Sequence, residues 1–83
     1  MSIYDEIKAE RVRQDEKYGY NRNEPPKYWM HAMRAESTEV YSAWENNTPP
    51  PHDYRTEMIQ LAALCVAAIQ SWDRQKNGQE GIK

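Results

Sequence analysis

The 83-residue chain has one cysteine, Cys65, three glycines, no phenylalanine and no excess of positive charge. A single cysteine cannot staple the fold with a disulfide, and no Cys/His spacing suggests a zinc site. So few glycines leave no Gly-rich phosphate loop. The formal charge of −2 and the pI of about 5.6 argue against nucleic acid as a partner, because proteins that grip a phosphate backbone carry a basic face. Long apolar runs are also missing. The longest, "MIQLAALCVAAI" from Met58 to Ile69, has 12 residues where a membrane span needs about 20, so it reads as a core helix and no membrane is implied. The opening "MSIYDEIKAE" is charged from Asp5 onward and lacks the apolar core of a signal peptide, which predicts a cytoplasmic protein. No stretch alternates β-branched residues as a strand would.

What is present divides into three helices, and the expected fold class is all-α in one domain over residues 1–83. Ser2 with Asp5 reads as a capping pair, and neither proline nor glycine interrupts the chain from Ile3 to Tyr18. Gly19 ends this first helix. "GYNRNEPP" is a loop whose Pro25 and Pro26 suit the first turn of a second helix, expected from about Lys27 to Glu45 and closed by "NNTPPP". The third helix is expected from an Asp53 N-cap to about Asn77. Gly78 stands behind it, Arg74 and Lys76 sit in its last turn to favour the helix dipole, and the tail from about 78 is expected to fray. A chain this short hides only about 60% of its unfolded surface. The first helix has few apolar positions and the third is apolar around most of its circumference, so a homo-oligomer is expected to cover what three helices cannot.

The faces of the second and third helices pose a question of chemistry. At 100° per residue, Trp29, Met33, Val40 and Trp44 share one stripe, with Glu36 in its middle and Glu39 on its edge. On the third helix Glu57 shares a side with Leu61, Leu64 and Ala68, and Gln60 lies about 60° away. An unpaired buried carboxylate costs several kcal/mol unless it neutralises, finds a cation or coordinates a metal. The ordinary alternatives are that Glu36 snorkels to solvent beside Arg34 or pairs with Arg55. The chemical alternative is that Glu57 faces Glu36 and Glu39, which project from adjacent turns. The result would be an all-oxygen cluster of the kind that hard cations such as Mg²⁺ or Mn²⁺ prefer.

Glu36-x-x-Glu39, a gap of 17 residues, and Glu57-x-x-Gln60 in "RTEMIQLAALCVAAI" resemble the MazG-like all-α nucleoside triphosphate pyrophosphohydrolases, particularly their short phage and prophage members. The preceding "AERVRQDEKYG", with Glu10, Arg11, Arg13, Gln14, Asp15, Lys17, Tyr18 and Gly19 in order, is similar to the helix before the acidic pair in those members. The resemblance spans roughly residues 3 to 73. It implies three-helix protomers assembling as a dimer or tetramer of helical bundles, with Mg²⁺ (or Mn²⁺) on Glu36, Glu39, Glu57 and Gln60. It further implies hydrolysis of a nucleoside triphosphate to monophosphate and pyrophosphate, with Glu36, Glu39 and Glu57 as the catalytic carboxylates. The nucleotide is expected to meet Arg11, Gln14, Lys17, Tyr18, Trp29, Arg34 and Arg55. Arg13 supplies a further cation, and Tyr28 and Trp44 further aromatic faces for base stacking.

Three residues depart from the family pattern. Gln60 stands in place of the fourth acid, and Ala35 and Thr38 replace an acid and a glycine around the first pair. An amide oxygen coordinates more weakly than a carboxylate. A second function class therefore stands beside the enzyme: a catalytically weak or inactive nucleotide sponge, with which a phage would sequester a linear or cyclic nucleotide immune signal. A purely structural helical adaptor would leave Glu36 and Glu57 unexplained. Cys65 reads as an inert small hydrophobe. His31 lies near the acidic helix face, and His52, after three prolines, is expected in a mobile loop.

Overall fold

The computed structural model describes residues 1–80, with side chains up to residue 76. The first helix, α1, is Ile3–Tyr18. It starts on a reciprocal cap: the Asp5 amide donates to Ser2 Oγ at 3.1 Å and the Ser2 amide to Asp5 Oδ2 at 3.2 Å. Gly19, at φ +107°, turns the chain away after its own amide has bonded the Asp15 carbonyl at 2.8 Å. The second helix, α2, is Pro26–Glu45, with Pro25 as N-cap and Pro26 in the first turn, where a missing N–H costs nothing. The third, α3, is Tyr54–Glu80. Asp53 precedes it and accepts the Thr56 hydroxyl at 2.5 Å, while its carbonyl accepts the Glu57 amide at 3.0 Å.

The end of α3 corrects one expectation. The helix runs on through Gly78, because a glycine lowers helix propensity by about 1 kcal/mol without terminating the helix. Arg74 and Lys76 consequently do not lie in the last turn, and Arg74 has a different task, described below. The expected frayed tail falls, from Gly81 onward, outside the described residues.

The described residues form three helices and no strand, as expected for an all-α chain. Both α1 and α2 pack against α3. Helices α2 and α3 run antiparallel, with the start of α2 beside the far half of α3 and Met33 Sδ 3.5 Å from Cys65 Sγ. Their contact follows a seam. On α2, Trp29, Met33, Glu36, Val40 and Ala43 are buried or half-buried, at alternating steps of four and three. On α3, Glu57, Gln60, Leu64, Ala67 and Ser71 are likewise covered, at steps of three and four. This is the spacing of left-handed helix packing, in which every seam residue meets the partner helix. It explains why Trp44 is 62% exposed instead of joining the core: it lies next to Ala43 and rotates off the seam, resting on Tyr41 with ring centroids 5.8 Å apart.

The core is small. Among the described residues its buried apolar members are Trp29, Val40, Ala43, Ala63 and Ala67. No residue of α1 is buried, and this helix docks through polar contacts. Arg55 bonds Glu6 through two nitrogens at 2.8 and 2.7 Å, Gln14 Nε2 donates to the Gln60 carbonyl at 3.3 Å, and Arg11 reaches Gln70 Oε1 at 3.1 Å. Met30, Ile69 and Trp72 are exposed beside an apolar groove between α2 and α3. No helix among the described residues is long and apolar enough to cross a membrane.

Candidate functional site

The seam brings two carboxylates together between α2 and α3. Glu36 from α2 and Glu57 from α3 meet there, and Glu39, one turn along α2, completes a cluster in which one oxygen of each residue lies within 4.8 Å of the others. Glu57 is only 6% exposed. Its Oε1 is 3.3 Å from His52 Nδ1, while its Oε2 and Glu36 Oε2 are buried with no hydrogen-bond partner. Burial, first of all, and then the adjacent carboxyls of Glu57 and Glu39 push the Glu36 pKa up to about 8. Of the two ordinary explanations of Glu36, pairing with Arg55 does not hold, and snorkelling leaves one oxygen out of solvent. Arg55 is engaged with Glu6, and the buried Oε2 is not in solvent. At neutral pH a proton held on Glu36 and shared with its neighbours partly relieves these two buried oxygens; a divalent cation in its place would satisfy both and relieve the repulsion among all three carboxylates.

The cluster lines a cleft of about 510 Å³, within the range of small-molecule sites. Gln60 and His52 border the acids. The same cleft is lined by Arg13, Gln14, Lys17 and Tyr18 from α1, with Arg22 from the loop and Tyr28 from α2. Arg13 is already neutralised by Glu10, 2.6 Å away. Lys17 lies with Nζ 5.1 Å from the Tyr18 ring centroid, and among the described residues neither Lys17 nor Arg22 has a carboxylate within 4.0 Å. The cleft thus holds both the acidic cluster and cations that no carboxylate neutralises.

The structure therefore gathers Gln14, Lys17, Tyr18, Glu36, Glu39, Glu57 and Gln60 of the expected site into one cleft, and leaves four expected residues outside it. Arg11 is held between Asp15 at 2.9 Å and Gln70. Trp29 is core, with Nε1 donating to the Glu24 carbonyl at 3.2 Å. Arg34 is exposed and does not line the cleft. Arg55 belongs to a separate groove with Glu6. The two histidines exchange roles: His52 touches Glu57, and His31 is exposed outside the cleft. Arg22 is the functional candidate that sequence reasoning missed. A lone arginine in a short loop has no periodicity to place it, and only the aromatics around it, Tyr18 and Tyr28, gave a signal.

No protein-family model, no curated protein and no solved structure matches the chain.

Proposed function

We propose that the protein binds a nucleotide through its phosphates and, as in the MazG-like pyrophosphohydrolases it resembles, hydrolyses a nucleoside triphosphate to monophosphate and pyrophosphate with Mg²⁺ or Mn²⁺. The observation that carries this reading is the pair of unpartnered, buried oxygens on Glu36 and Glu57, set beside Glu39 in the same cleft as the cations. Glu36, Glu39 and Glu57 would hold the ion, with the Gln60 amide as a neutral neighbour. Bound there, the ion supplies positive charge against the phosphates and a water of lowered pKa. The chain's own residues do the rest. Lys17 and Arg22 draw and orient the phosphates, and His52 is bonded to Glu57 Oε1, leaving the buried Oε2 unpartnered.

Gln60 favours a second reading. It lines the cleft where the resembled family places an acid, so the site has three carboxylates and one amide, an arrangement that retains a nucleotide but activates water less well. On that reading the protein is a sponge that holds its nucleotide intact. The deciding experiment incubates the protein with Mg²⁺ and a panel of linear and cyclic nucleotides, denatures it, and identifies what is released. Monophosphate with pyrophosphate supports the enzyme, intact ligand supports the sponge, and no retained or altered nucleotide refutes both.

The same reading includes a homo-oligomer. Met30, Ile69 and Trp72 flank an apolar groove that no residue of the described chain covers, and such patches are ordinarily buried by a partner. Sedimentation at micromolar concentration is expected to give a dimer or larger, and a monomer would remove this part of the proposal.

A further inference from the structure

The loop between α1 and α2 is held unusually firmly for a segment of seven residues, Gly19 to Pro25. The Glu24 carbonyl accepts from Gln75 Nε2 at 2.6 Å and Trp29 Nε1 at 3.2 Å, with Ser71 Oγ at 3.4 Å. Arg74 donates to the Arg22 carbonyl at 2.8 Å and to Asn23 Oδ1 at 3.1 Å. The backbone from Arg22 to Glu24 is therefore fixed to α3.

The Arg22 side chain is caged as well. Its Cζ lies 5.5 Å from the Tyr18 ring centroid, 5.4 Å from Tyr28 and 5.0 Å from Trp29, and Nη1 donates to Tyr28 Oη at 2.6 Å. Its stem passes over Gly19, with Cγ and Cδ 3.9 Å from where a β-carbon would stand. Three rings each within about 6 Å of a guanidinium attract it electrostatically and hold its orientation. A planar guanidinium has five N–H donors. Among the described residues only one of Arg22's is used, on a neutral hydroxyl.

We infer that Arg22 is the anion-recognition residue of the cleft, a preorganised guanidinium fork that takes phosphate oxygens, and that Tyr18 and Tyr28 are its holders and not a platform for the base. This rests on the proposed reading of the cleft as a phosphate site. Side-chain freedom lost on binding is a principal cost of recognising an anion with a long cation. Here the cage and the pinned loop have met that cost before the ligand arrives. Lys17, the other cation of the cleft without a carboxylate, is a point charge and supplies attraction without the fork's geometry.

The test uses a probe without a base, so that stacking contributes nothing. Tripolyphosphate is titrated calorimetrically into the full chain in Mg²⁺. Arg22→Gln is expected to weaken binding about tenfold or more, the scale of a lost charge-assisted hydrogen-bonded pair. Arg22→Lys, which retains charge but not the fork, should still lose severalfold, as should Tyr28→Phe, which keeps the ring but removes the 2.6 Å bond. Arg34→Gln, exposed and outside the cleft, serves as control and is expected to bind as wild type. Wild type that takes up no tripolyphosphate overturns the phosphate reading itself. Wild type that binds, with Arg22→Gln binding equally, overturns this inference alone. Circular dichroism checks folding, and if Arg22→Gln does not fold, Arg22→Lys decides: a severalfold loss supports the fork and undiminished affinity refutes it.

Discussion

Without metal, the protein is expected to lose stability as pH rises from about 4.5 to about 8, and a saturating divalent cation is expected to restore it. Glu36 is the cause. In the unfolded chain its carboxyl ionises near the ordinary value of 4.5, whereas in the folded chain burial and its acidic neighbours hold the proton up to about 8. Between those values the folded state binds more protons than the unfolded one, so stability falls with rising pH and its contribution is gone above the folded pKa. Glu6 and Asp53 act in the opposite sense. Arg55 lowers the Glu6 pKa and the Thr56 hydroxyl lowers that of Asp53, so their contributions are present above the unfolded values and are lost as pH falls through the folded ones.

The Glu36→Gln variant should show a flatter profile. At pH 8 without metal it is expected to melt about 5 °C above wild type, since each kcal/mol moves Tm by about 4–8 °C in a domain of this size. Millimolar Mg²⁺ or Mn²⁺ should raise the wild-type Tm, by about 2.7 kcal/mol of stabilisation at a hundredfold excess over Kd, and leave the variant unmoved. Scanning calorimetry at pH 5 and 8 with and without each ion checks every part. Equal melting of wild type and variant under all six conditions would mean that the Glu36 carboxylate neither strains the apo fold nor meets a cation.

Replacing Gln60 by aspartate is expected to raise turnover about tenfold or more, equivalent to about 1.4 kcal/mol of transition-state stabilisation, if the protein is a pyrophosphohydrolase. The substitution adds a carboxylate at a cleft position already bordering Glu57. In a sponge the same negative charge lies beside phosphates and should weaken nucleotide binding without producing hydrolysis. Product analysis and equilibrium binding on the two proteins separate these outcomes. A variant with unchanged hydrolysis and unchanged binding would make Gln60 a packing amide and remove α3's second position from the site.

Helix boundaries were legible where the chain itself supplies the partner. Ser2 and Asp5 cap each other, two prolines open α2, and a proline cluster separates α2 from α3, so each could be read without knowing the tertiary structure. Gly78 misled because a glycine stops a helix only when its surroundings use its freedom. The acidic cluster was legible for another reason: Glu36 and Glu57 sit on stripes that must be buried, and burial makes a carboxylate demand a partner. The cations were not legible in this way. Arg55, Arg11 and Arg34 are equally charged in sequence, yet Glu6 takes the first, Asp15 and Gln70 the second, and solvent the third. Which arginine remains uncommitted depends on contacts between residues about fifty positions apart, as between Arg74 and the Arg22 carbonyl, and helical periodicity has no access to those.

The grip of Arg74 and Gln75 on the loop gives the long third helix a reason for its length. Its first turn contributes Glu57 to the acidic cluster, while its distal half clamps the segment that presents Arg22, so one helix bears on both the acids and the cation of the cleft. Helix α3 thus works as a gauge bar: loosening its far end slackens the loop and blurs the spacing between acid and cation even though every acidic residue stays in place. On the proposed phosphate reading, ligand affinity therefore depends on the hold of Arg74 and Gln75 on the loop as well as on the acidic residues near the other end of the helix.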